Sequence, residues 1–348
     1  GDVYKRQKLD SKSLFFLNFV AMKPIVQRFR GFVAEASAGC GRMFRILGLA
    51  ALPMVVVASG CSARGDAAPG VGEPLGVAVT VPPLEYFARA IGGDSVAVTT
   101  LLKSGSDPET FEPGVGAMKA LGGSDLLLST GLMPFEQSLA QKSSSRGEAP
   151  RIVSVSDGID LIHGTHGHEH AGEHRHSDAS DEREELYADP HIWSSVGNAR
   201  IIAENVLRAF CHADTARTPY YTANYRTLIV HLDSLEGAWM GRLAPVGGSS
   251  FAIRHPALSY FARDFGLRQL ALTDGQKESS AGGRAHVLDG IRRAQPVVFF
   301  VEQGADPARA GMVGRTVGLN PVEINPMSAD WEGEMSRTVD ALARAASR

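Results

Sequence analysis

Cysteine is nearly missing from this chain: 348 residues carry three, Cys40, Cys61 and Cys211. That scarcity excludes a disulfide framework and a zinc site built from cysteines, which needs several thiolates at short spacing. A charge excess of one sign is missing too. The 35 Lys and Arg stand against 38 Asp and Glu, a net charge of −3, so there is no basic footprint for nucleic acid. The apolar stretch Ile46–Val57 falls short of the roughly 20 residues that cross a bilayer as a helix. What is present, 44% apolar and 21% charged residues, is the composition of a globular protein, and the length allows two domains with separate cores.

Histidine, by contrast, is concentrated. "HGTHGHEHAGEHRH" (163–176) holds six of the eleven histidines: His163, His166, His168, His170, His174 and His176. Neutral imidazole is the commonest nitrogen ligand for zinc and its neighbours, so the run points to metal. It also contains glycines, lacks apolar periodicity and runs into seven carboxylates over 169–185, which describes a solvated segment that builds no rigid pocket by itself. His170 to His174 fit the H-x-x-E-H arrangement of inverzincin proteases. That motif works on a packed helix, and this segment has no apolar face to pack, so catalysis there is not expected.

The N-terminus divides into segments that precede any fold. "GDVYKRQ" reads as translated adapter DNA and residues 8–42 show no core pattern, so 1–42 are set aside as a non-native leader. From Met43, a basic Arg45, the apolar run and "ASGC" resemble a lipoprotein signal peptide over 43–60, with Cys61 as the acylated residue. Residues 61–73, small and rich in Gly, Pro and Ala, form a tether. Export with a lipid anchor leaves Cys211 as the one thiol of the folded part, so a metal must be held by His and carboxylate.

From residue 75 the chain alternates. "LGVAVTV", "VAVTTLL", "DLLLST" and "RIVSV" read as strands, with helices at 83–93 and near 115–121 between them. A helix covers 196–210. Tyr221, Tyr225, Leu228, Leu232, Leu235, Trp239 and Leu243 then recur at steps of four and three, one stripe on a helix of about 24 residues. The alternation restarts with "SSFAIRH", "LRQLAL", "VVFFV" and "PVEI". The expected architecture is α/β: an N-terminal lobe over 74–213 with a His-rich loop at 158–188, a linker helix over 214–245 and a C-terminal lobe over 246–348.

Several polar residues sit where such folds bind ligands. His191 in "ADPHIW" precedes a helix, and His255 ends a strand, the sheet edge where ligands of open α/β sheets collect. Glu109 and Glu112 lie in the loop "SGSDPETFEP" after the second strand.

In order, E-x-F-E-P, D-P-H-x-W, H-P-A-x-x-Y-F and N-P resemble the zinc- and manganese-binding proteins of bacterial ABC uptake systems, the cluster 9 solute-binding family. The likeness covers about 75–346, and the zinc-type branch carries a His-rich loop just before D-P-H-x-W. The resemblance implies two Rossmann-like lobes joined by one long rigid helix, with one metal in the interlobe cleft. It also implies a monomer outside the inner membrane that delivers zinc, with manganese as the alternative, to a permease and its ATPase, without being an enzyme. His191 and His255 match family ligands. Glu109 takes the place of the usual His of H-x-Y-E-P, and Asn325 that of the usual Asp of D-P. Asp330, Glu302 or water are the other choices for a fourth ligand. Competing functions are a zinc-dependent hydrolase with Glu112 as base, and a metal-storage or adhesin lipoprotein. Because a ligating imidazole must be neutral, zinc affinity is expected to fall as pH drops through about 6.5.

Overall fold

A computed structural model of the chain describes residues 72–103, 108, 111–144, 150–164, 187–273 and 281–345. Within them no helix is long and apolar enough to cross a membrane.

The first sheet is built by β1 (Leu75–Val79), β2 (Val96–Thr100), β3 (Leu126–Ser129) and β4 (Arg151–Ser154), all parallel in the order β2-β1-β3-β4. Parallel neighbours require crossovers, which α1 (Pro83–Gly92), α2 (Val115–Gly122) and α3 (Pro134–Ser144) supply. β1 and β3 run as continuous apolar stretches because helices cover the sheet on both faces. The second sheet repeats the plan. β7 (Ser250–Ile253), β8 (Arg268–Ala271), β9 (Phe299–Glu302) and β10 (Pro321–Ile324) are parallel in the order β10-β9-β7-β8, with α6 (Ser259–Asp264), α7 (Ala281–Arg293) and α8 (Pro307–Val317) as crossovers. Numbered from its own first strand, each sheet has the same order, and each has its switch point beside that strand.

The pleat sorts the second sheet's side chains by period two. Phe251, Ile253 and Phe300 enter the large core shared with the rest of the molecule. Ala252, Phe299 and Val301 face the other way and pack with Ile291, Ala310 and Val317 from α7 and α8.

Between the sheets lie α4 (Val196–Ala213) and α5 (Thr218–Leu243). With 26 residues α5 is about 39 Å long, two residues beyond the sequence expectation. Tyr221, Leu228, Leu232, Trp239 and Leu243 are its buried seam, while Tyr225 and Leu235 are half-buried at its margin. The seam packs against α4 and α1 on one side and α9 (Trp331–Ala345) on the other, so one rigid element touches both halves.

The expected structureless loop at 158–188 differs at its ends. His163–Gly164 (β5) pairs antiparallel with Tyr187–Ala188 (β6), extended by Asp189 N donating to Ile162 O at 2.7 Å. The insertion therefore leaves the fold through a closed stem. Residues 165–186, with His166, His168, His170, His174 and His176, lie outside the described residues, as do Cys61 and the leader.

Candidate metal centre

His191 follows β6 through Asp189-Pro190 and precedes one tight turn (Ile192–Ser194) that leads into α4. Proline keeps the preceding residue out of helical geometry, which gives Asp189 room to fold back. Its Oδ1 accepts from the His191 backbone N at 2.9 Å and lies 2.8 Å from His191 Nδ1. With Nδ1–H donated to the carboxylate, Nε2 is left with a lone pair directed away from Asp189. The ring is buried, 3% exposed, and meets Trp193 edge-on at 5.4 Å. Trp193 is tied to the second half of the chain: its Nε1 donates to Pro326 O at 2.8 Å, and Trp331 Nε1 donates to Trp193 O at 2.6 Å.

His255 stands two residues past β7, at the switch point between β7 and β9. Glu302, the last residue of β9, accepts from His255 N at 2.9 Å through Oε1 and from Arg254 Nε at 2.6 Å through Oε2. Burial above all, then the neighbouring His191 and Arg254, push the His255 imidazole down to about 3, so it is neutral in ordinary conditions. This corrects the expectation of a fall in affinity through pH 6.5 as far as His255 is concerned. Burial would raise the Asp189 carboxyl, but its bonds to His191 and the Ser259 hydroxyl outweigh that and lower it.

The two rings meet. His191 Nε2 and His255 Nε2 are 3.2 Å apart, with centroids at 5.0 Å and planes at 73°. Two nitrogens bound to one tetrahedral zinc at about 2.0–2.1 Å would be about 3.3–3.4 Å apart, so the pair has the spacing of two ligands of one ion. Among the described residues no set of three or more His, Cys, Asp and Glu converges, so no third residue of these types joins the pair there.

The other sequence candidates are placed as follows. Glu109 lies outside the described residues; Phe111, two positions on, packs edge-on against Phe135 of α3 at 5.1 Å. Asn325 is engaged locally: its Nδ2 donates to Gln303 Oε1 at 3.0 Å and its Oδ1 accepts from Met327 N at 3.2 Å. Asp330 is exposed and caps α9 by accepting from Gly333 N at 3.2 Å. Glu302 holds the His255 loop, each of its two oxygens accepting one hydrogen bond from it. Glu112 and His163 are exposed. Asp189 was overlooked as a functional residue. The signal available was its spacing, since a carboxylate two residues before a histidine can reach that ring's Nδ1.

A protein-family model described as zinc-uptake complex component A, periplasmic, matches residues 77–345. The chain belongs to this family. A Treponema pallidum (strain Nichols) protein described as metal-binding is 26% identical over 304 residues, 85% of this chain and 94% of its own. The zinc-binding protein AdcA of Streptococcus pyogenes serotype M3 is 25% identical over 76% of this chain, which spans about half (52%) of that relative's length. Among solved structures, a crystal structure of ZnuA superposes with a TM-score of 0.68 at 25% identity, covering 79% of this chain and 100% of that one. The zinc-binding TroA of Treponema pallidum superposes with a TM-score of 0.66 at 20% identity and shares the fold.

Proposed function

We propose that this protein is an extracytoplasmic receptor that captures zinc between its two lobes and delivers it to an ABC permease and its ATPase. The observation that carries the reading is the Nε2 pair, 3.2 Å apart, on loops from two separate halves of the fold. Both rings are prepared for metal: Asp189 fixes the tautomer of one, and burial keeps the other neutral. Relatives described as zinc-binding or metal-binding support the cargo. Solved relatives also hold nickel or manganese, but two imidazoles with one carboxylate suit zinc better than manganese, which favours more oxygen.

Glu109 is the proposed third ligand, with water or Asn325 in the fourth position. Such a receptor needs affinity and release and breaks no bond, so the protein is proposed not to be an enzyme. A hydrolase would need a general base held beside the open metal position; Glu112, the base considered, is solvent-exposed. The receptor is proposed to act as a monomer, anchored by a lipid on Cys61.

Competition of untagged protein against a zinc chelator tests the site. His191→Ala and His255→Ala should each cost more than the about 10–100-fold typical of losing an outer-sphere partner. Glu109→Ala should also weaken binding. Wild-type affinity in either histidine variant contradicts the assignment, and an unaltered Glu109→Ala moves the third ligand elsewhere.

A further inference from the structure

Helix α6 starts four residues after His255, and its second side chain, Tyr260, reaches the segment that carries His191. The Ser259 hydroxyl accepts from Gln269 Nε2 at 2.8 Å. The Tyr260 hydroxyl, on a side chain with no exposed surface, donates to Asp189 O at 2.8 Å and accepts from Ile162 N at 3.2 Å. Asp189 N donates back to Ile162 O. One phenol therefore bonds both chains of the stem that closes the histidine-rich insertion, at the residue whose carboxylate orients His191.

We propose that Tyr260 is a positioning residue which sets the Asp189–His191 unit from the opposite lobe and ties the insertion's stem to the metal centre. The inference rests on His191 and His255 being ligands. A carboxylate can direct an imidazole only if its own backbone is fixed, and Tyr260 supplies a buried donor to that backbone. Tyr260 and His255 share one short segment, so a shift of His255 on taking up metal moves Tyr260, Asp189, His191 and the stem together.

The test compares Tyr260→Phe with Tyr221→Phe. Tyr221 is equally buried, and its hydroxyl donates to Asp214 at 2.9 Å outside the site. Tyr260→Phe loses the two bonds of its hydroxyl and Tyr221→Phe loses the bond to Asp214, so both should melt earlier. Tyr260→Phe alone should weaken zinc binding, by about 10–100-fold, and shift the visible bands of the cobalt-loaded protein. Added to Asp189→Asn it should cost little more, because both act through one unit. If Tyr260→Phe does not fold, Tyr260→Met, which also removes the hydroxyl and fills the site flexibly, carries the same expectations. A Tyr260→Phe protein that melts earlier yet keeps wild-type zinc affinity and cobalt spectrum overturns the proposal. With His191→Ala losing metal in parallel, that failure leaves the ligand assignment standing. If His191→Ala also binds like wild type, both fall.

Discussion

Burial holds His255 neutral, the form a metal ligand must have, and this has a cost at acid pH. The imidazole titrates near 3 in the fold against 6.5 as the reference for an exposed ring. Between those values the unfolded chain binds a proton that the fold refuses. The contribution to stability is therefore complete above about 6.5 and declines as pH falls toward 3. At pH 5, 1.5 units below the reference value of 6.5, the loss is about 2 kcal/mol at about 1.36 kcal/mol per unit. Metal-free protein should melt lower at pH 5 than at pH 7, and His255→Asn should reduce that difference. Equal pH dependence in both proteins would show that His255 is not held neutral. His255 is also why zinc affinity should resist mild acid better than two exposed imidazoles would.

At the scale of elements, the stem of the insertion and the histidine-rich sequence it closes are proposed to do different work. The stem is built into the site through Ile162, Asp189 and Tyr260, whereas residues 165–176 carry five histidines with no apolar period to fix them. Imidazoles that must be ordered at each binding event hold zinc more weakly than a prearranged pair. Deleting residues 165–176 while keeping His163 and Gly164 should remove the weaker phases of a zinc titration and leave one tight site. Loss of the tight site would mean that the insertion holds the metal. Strands and helices were legible because their signals are local: apolar runs such as "LLLS" for buried strands, and the Tyr221 to Leu243 stripe for α5. His255 was legible as a strand-end residue, because a strand's C-terminal edge can be read from the strand alone. The Tyr260–Asp189 bond joins residues 71 apart, and Glu302 reaches His255 across 47, so no periodicity could have announced either role. Glu302 was legible as a ligand candidate by type, whereas its two bonds to the His255 loop could not be read from the sequence.

At the scale of the whole molecule, two sheets share one strand order, and α5 spans both halves with a single buried seam. A receptor of this kind must also stay near its permease. Acylation of Cys61 after the apolar run would place it there, with residues 61–73 as tether. Wild-type protein should sediment with membranes and Cys61→Ala should be released; equal release of both would remove the anchor from the account. The central claim, that one zinc is held jointly by the two lobes, is tested most directly by anomalous scattering at the zinc edge from crystals of zinc-loaded protein. The account predicts one strong peak within bonding distance of both His191 Nε2 and His255 Nε2, with the Glu109 carboxylate closing in as a third ligand. A dominant peak among the histidines of the insertion, with the His191–His255 pair empty, would contradict it.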